Sequence, residues 1–200
     1  MIKAVIFDFG NVICRFDNRV VLTRVAERSG KSVQELEELV YQSSDFIKQY
    51  ERGLATSHEF FRHFSVLCDL EVSEEDFIKM YTDKFTPIPE TMDLIRRLKG
   101  NYRLGLLSNT SEWDFEYGIK MTEVFSLFDS VTLSFRVHAL KPEPDIYRDA
   151  VSKLGVPPEE CVYVDDIDRY ADAARELGMT AIQYRSPQDL LVKLKNVVPL

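Results

Sequence analysis

Hydrophobic residues recur along this chain with two different periods, and the two periods occupy different stretches. Short apolar runs rich in β-branched and aliphatic residues, each ending on polar ones, fall at Ala4–Phe7, Arg103–Leu107, Val131–Leu133, Cys161–Val164 and Thr180–Tyr184. Continuous apolar character over so few residues is that of strands buried on both faces. Between the later runs the spacing is helical, over Thr91–Lys99, Asp145–Leu154 and Arg169–Leu177, and Gly155 and Gly178 stand as stop signals after the last two. Strand alternating with helix predicts an α/β fold, a Rossmann-like parallel sheet core with crossover helices.

From about Arg15 to Phe85 that alternation stops. Apolar residues here keep helical spacing throughout, as in Val21, Leu22 and Val25, or Phe60, Phe61, Phe64 and Leu67. Ser32 with Glu35 reads as a capping box and Ser73 with Asp76 as a near variant, so both mark helix starts. The pattern predicts an inserted helical bundle over residues 15–86 that divides a core made of 1–14 and 87–200. Thr86-Pro87-Ile88-Pro89-Glu90 is the expected return hinge, because closely spaced prolines interrupt a helix and stiffen a linker.

Composition narrows the function classes. With 25 Lys+Arg against 33 Asp+Glu the net charge is −8, the wrong sign for a nucleic-acid partner, which needs clustered basic residues. No apolar run approaches the roughly 20 residues that a bilayer core requires. Asp8 interrupts the first apolar stretch where an export signal would continue it. Cys14, Cys68 and Cys161 show no CxxC spacing and sit among apolar residues. They suit a reducing cytoplasm.

In an open parallel sheet, ligands bind at the carboxyl ends of the strands. Those ends read Asp8-Phe9-Gly10-Asn11, Ser108-Asn109-Thr110, Lys141-Pro142-Glu143-Pro144 and Asp165-Asp166. Three carboxylates in one crevice repel one another unless a cation lies among them, and an all-oxygen acidic set suits Mg²⁺. A divalent ion beside Lys141 makes a pocket for a phosphate dianion, with Ser108 and Asn109 as donors to its oxygens. One carboxylate can then attack phosphorus to form an aspartyl-phosphate. Taken singly, each motif also reads as a turn, cap or surface charge.

In this order the motifs resemble the haloacid dehalogenase-like hydrolases, and the resemblance runs over essentially the whole chain. It rests on Val5-Ile6-Phe7-Asp8-Phe9-Gly10-Asn11-Val12, Leu107-Ser108-Asn109, Leu140-Lys141-Pro142-Glu143-Pro144-Asp145-Ile146-Tyr147, and Val164-Asp165-Asp166 followed by Ala173-Ala174-Arg175-Glu176-Leu177-Gly178-Met179. The family's phosphatases are Mg²⁺-dependent, and the helical insert resembles their small cap. The resemblance implies Asp8 as nucleophile and metal ligand. It implies metal contacts from the Gly10 carbonyl, from Asp166, and from Asp165 directly or through water. Ser108, Asn109 and Lys141 would bind phosphate, with Lys141 also neutralising the nucleophile. The implied substrate is a small phosphomonoester.

Gly10 is a departure. Most phosphatases of the family carry a second Asp there, which protonates the leaving oxygen, and such proton transfer is worth about 10²–10⁴-fold in rate. A sugar 1-phosphate, with its more acidic leaving hydroxyl, needs that acid least. A branch of the family resembling α-D-glucose-1-phosphatase also has Gly at this place. Other sources for the proton are Asp17 and Asp45 in the insert and His138 in a loop. Glu51-Arg52-Gly53, between two insert helices, and His138 are the candidates for specificity, Trp113, Phe115 and Tyr117 the candidates for the pocket mouth. Two readings stand beside the phosphatase: a metal-independent 2-haloacid dehalogenase gripping halide with Arg15 or Arg52, and a non-catalytic protein that binds phosphate or a partner.

Overall fold

β1 (Ala4–Phe7) is buried along its whole length because it lies at the centre of the sheet. In this computed structural model, which describes residues 1–42 and 45–199, five strands run parallel in the order β5-β4-β1-β6-β7. They are β4 (Arg103–Ser108), β5 (Ser130–Leu133), β6 (Cys161–Asp165) and β7 (Thr180–Gln183) around β1. The register sets Phe7 beside Leu106 on one flank and Val164 on the other. Val5 and Phe7 pack into the core under one face, Ala4 and Ile6 into the core under the other, as the period of two requires.

Helices cover both faces. On one lie α6 (Pro89–Leu98) and α11 (Pro187–Lys195), on the other α9 (Pro144–Leu154) and α10 (Asp168–Glu176). Every predicted strand and core helix is present with ends shifted by one or two residues. No expected helix covers α11, which Ser186 caps and whose inner face Leu190 and Leu194 bury.

The helical stretch holds α1 (Asn18–Ser29), α2 (Val33–Glu37), α3 (Phe46–Glu51), α4 (Ser57–Cys68) and α5 (Glu74–Thr82). The capping box at Ser32 and Glu35 forms as predicted. At Ser73 only half of it forms: Ser73 Oγ accepts from Asp76 N, but Asp76 bonds the Ser73 hydroxyl instead of its backbone N–H. An aspartate is one methylene too short for the reciprocal bond. The core of this unit is aromatic, with Phe60, Phe64, Phe77, Tyr50 and Tyr81 buried around Trp113. Trp113 lies on α7 (Glu112–Tyr117), just after β4, so the sheet side contributes a ring to the insert's core.

The expected hinge takes a different form. Phe85–Pro87 is a strand, β3, pairing antiparallel with β2 (Cys14–Phe16), Phe16 opposite Phe85. Pro89 then starts α6 at the first helical position. Proline is compatible with the end of a two-stranded ribbon, where half the backbone groups face away from the partner.

Candidate active site

β1, β6 and the loop before α9 bring three predicted residues together at the carboxyl edge of the sheet. Lys141 Nζ lies 2.7 Å from Asp8 Oδ1 and 2.7 Å from Asp165 Oδ2. All three side chains are buried. The Asp8 N–H donates to Val164 O, extending the ladder by one step and keeping Asp8 alongside the end of β6. Asp165 is held from all sides: Tyr163 Oη and Lys141 donate to Oδ2, the Ile167 N–H to Oδ1. Asp166 is half-buried next to them and accepts from Asn11 Nδ2 at 3.3 Å. Asn11 has φ 56, a left-handed backbone that Asn tolerates well.

One oxygen from each of Asp8, Asp165 and Asp166 falls within 4.8 Å of the others. With one lysine among three carboxylates the cluster lacks positive charge. Burial holds Asp8 above the usual carboxylate range, Lys141 opposing and Asp165 and Asp166 adding to the rise. Asp166 is raised as well, by burial and then by Asp165. Burial works against the Lys141 ammonium, yet Asp8 and Asp165 hold it above its ordinary value. An all-oxygen set short of positive charge fits a divalent cation of the Mg²⁺ type. Asp8 and Asp166 have oxygens to offer, whereas Asp165 already uses three of the roughly four lone-pair sites of a carboxylate.

The second motif closes the site. Ser108, at the end of β4, is buried. The Asn109 side chain pairs reciprocally with the Lys141 backbone, accepting from its N–H at 2.8 Å and donating to its carbonyl at 3.3 Å. This leaves one amide proton of the side chain for a ligand, so part of the role of Asn109 is to position the Lys141 loop. A Cβ at Gly10 would come within 2.8 Å of the Phe16 ring on β2, so a side chain there would require that exposed ring to shift.

A small cavity of about 70 Å³ opens beside these residues. Gly10, Ser108 and Asn109 at the sheet edge line it, together with Glu51, Lys84 and Asp114. Lys84 Nζ lies 3.0 Å from Asp114 Oδ1, and this ion pair is buried. A wider surface groove past Cys14, Met92 and Met121 includes Tyr117, a pocket-mouth candidate, but none of the predicted catalytic, phosphate-binding or metal-binding residues.

Of the three specificity candidates, only Glu51 lines the cavity. Arg52 instead pairs with both oxygens of Glu143, and His138, exposed and left-handed at φ 56, meets the Arg52 carbonyl with Nδ1 at 3.0 Å. These two dock the insert onto the core. Asp17 caps α1 and Asp45 pairs with Lys48 on the surface, so neither faces the cavity. Arg15, with Arg52 a candidate for gripping halide, also lies outside it. Trp113 and Phe115 are core residues and Tyr117 is exposed. Lys84, Asp114, Tyr163 and Ser134 carried no motif in the sequence. They are isolated polar residues that only the fold brings to the site.

A family model for the haloacid dehalogenase-like hydrolases matches residues 2–178. The chain is 26% identical over 196 residues to the D-ribitol-5-phosphate phosphatase of Bacteroides thetaiotaomicron, covering 94% of this chain and 95% of that one. It is 24% identical over 206 residues to the glyceraldehyde 3-phosphate phosphatase of Methanopyrus kandleri, covering 92% and 84%. Among solved structures it is similar in fold to a HAD family enzyme of Bacteroides thetaiotaomicron in complex with magnesium and inorganic phosphate. The TM-score is 0.83 and the identity 24%, with 93% of this chain and 96% of that one covered.

Proposed function

The chain belongs to the haloacid dehalogenase-like hydrolases, and from that premise we propose that it is a Mg²⁺-dependent phosphomonoesterase acting through an aspartyl-phosphate on Asp8. Its substrate is a small phosphorylated metabolite, a sugar 1-phosphate first among them. The observation that carries this reading is the buried Asp8–Lys141–Asp165 unit with Asp166 alongside.

Asp8, Asp166 and the Gly10 carbonyl would hold the Mg²⁺, with Asp165 reaching it through water. When bound, the ion supplies the positive charge that draws in the phosphate dianion and shields its oxygens. Lys141 keeps Asp8 ionised and aimed, and its ammonium offers a remaining proton to a phosphate oxygen. Ser108 Oγ and Asn109 donate to the others. An Asp8 oxygen attacks phosphorus, the ester P–O bond breaks and the alcohol leaves. Water then attacks the phosphorus of the aspartyl-phosphate, releasing inorganic phosphate and restoring the Asp8 carboxylate.

Because Gly10 brings no acid, the anomeric oxygen of a sugar 1-phosphate is the leaving group that asks least of the site. The related phosphatases named above are named for D-ribitol 5-phosphate and glyceraldehyde 3-phosphate, which supports a small hydroxylated substrate. In this reading residues 15–86 act as a cap on a core of 1–14 and 87–200. Among the described residues no helix is long and apolar enough to cross a membrane. Three free, buried cysteines fit a cytoplasmic location.

The test is phosphate release from glucose 1-phosphate, glucose 6-phosphate and an aryl phosphate, with and without Mg²⁺. Release that needs both Mg²⁺ and Asp8 is the expected result. No release from any ester, or halide release from a 2-haloacid without metal, overturns the reading.

A further inference from the structure

The carboxyl group of Glu51 is unusual for the cavity it faces. It makes no hydrogen bond or ion pair with any described residue, although Lys84 and Asp114, which line the same cavity, are paired with each other. Its backbone is held firmly. Ser134 Oγ lies 2.6 Å from the Glu51 carbonyl and 3.0 Å from the Thr110 carbonyl, and it accepts from the Thr110 N–H. A single hydroxyl therefore ties Glu51 to the residue after Ser108-Asn109. Two residues on, Gly53 has φ +70, and a Cβ there would lie 2.1 Å from the Phe135 carbonyl. That approach admits only glycine. Arg52, between them, is fastened to Glu143 and His138.

The chain thus uses three consecutive residues to fix the backbone that carries one carboxyl, on a cavity that Gly10 also lines, with no described residue bonded to that carboxyl. We propose that Glu51 is the general acid and base of the hydrolysis, taking the place of the side chain that Gly10 lacks. The inference rests on the phosphatase reading above and extends it. Protonated Glu51 gives its proton to the ester oxygen as the P–O bond breaks and the electron pair moves onto that oxygen, so a neutral alcohol departs. The resulting Glu51 carboxylate takes a proton from the water that attacks the aspartyl-phosphate. The P–O bond to Asp8 breaks, phosphate leaves and Glu51 is protonated again.

The environment of Glu51 suits both halves. Burial pushes its pKa up to about 7, Asp114 adding to the rise while Lys84, Lys141 and Lys48 oppose it. A group poised there is partly protonated at neutral pH, as an acid that must also act as a base requires. A sugar 1-phosphate remains the easiest substrate, and Glu51 extends the range to ordinary alkyl phosphates.

The test is kcat/KM in Mg²⁺ buffer for an aryl phosphate, glucose 1-phosphate and glucose 6-phosphate, with wild type, Glu51→Gln and Glu51→Asp, each checked for fold by thermal midpoint. Glu51→Gln should lose on the order of 10²-fold or more on glucose 6-phosphate. Its loss should be progressively smaller toward the aryl ester, and the basic limb of the pH profile near 7 should vanish. Glu51→Asp should recover part of the loss. An equal loss on all three esters, or none on glucose 6-phosphate, overturns the assignment while leaving the phosphatase reading standing. A wild type that hydrolyses none of them, or an Asp8→Asn variant as active as wild type, overturns both.

Discussion

Two buried lysines, Lys141 and Lys84, each face aspartate, and of the two Lys84 lines the cavity. At the carboxyl edge of the sheet, Lys141 contacts Asp8 and Asp165 with Asp166 nearby, so one cation serves three anions. Lys84 instead faces a single carboxylate, Asp114, with its ammonium also over the Tyr81 ring. The second pair is balanced and joins the end of the insert to α7, a docking role. The first is left short of charge, as a site must be if a cation and then a dianion are to enter it. Burial is alike in the two; the difference is stoichiometry.

The sharpest test of this contrast is Asp8→Asn, which should lower kcat on any accepted phosphomonoester by on the order of 10⁴-fold or more. Its fold, judged by circular dichroism, should be retained. Next is a pair of substitutions. Lys141→Met leaves two buried carboxylates facing one another and should cost about 3–5 kcal/mol of unfolding free energy. Lys84→Met, which strands Asp114, should fall at the lower end of that range. In Lys141→Met the deficit should be greatest above neutral pH and shrink on acidification, because Asp8, already raised, takes up a proton and relieves the repulsion. Urea unfolding at two pH values checks both.

Mg²⁺ at 100 times its Kd should stabilise the wild type by about 2.7 kcal/mol. It should do so far less in Asp166→Asn and undiminished in Lys84→Met, read by thermal shift. A smaller effect follows from Glu51. Its folded pKa of about 7 lies above its unfolded value, so the folded state holds the extra proton and loses stability as pH rises toward 7. Glu51→Gln should therefore gain on wild type between pH 5 and pH 8, by on the order of 2 kcal/mol in urea titrations. Smallest is Arg52→Ala, which removes a partly exposed pair with Glu143. It should change stability by less than about 1 kcal/mol.

The two sides were not equally legible in the sequence. The sheet and its edge could be read because strand ends are set by local apolar runs, and because the chemistry after them uses residue types at fixed places: Asp8, Ser108, Lys141, Asp166. Family and fold followed from the same runs. The insert gave up its helices through capping and spacing, but not its function. Lys84 and Asp114 are far apart in sequence and meet only through packing, and nothing local marks Trp113 as a shared ring. The β2–β3 ribbon was hidden for a related reason: its pairing joins Phe16 to Phe85 across the whole insert, where proline spacing alone reads as a linker. Glu51 and Arg52 share one charged turn, yet Arg52, like the loop residue His138, is used for attachment. Charge at a turn does not tell which neighbour faces inward.

The reciprocal bonds between Asn109 and the Lys141 backbone also have a meaning in time. The Lys141 amide proton is directed at Asn109 Oδ1, at a residue whose own side chain is buried. Such a proton exchanges with solvent only when the two loops part. Its hydrogen–deuterium exchange rate is therefore a clock for the opening of the catalytic edge, readable in the resting protein with no substrate present.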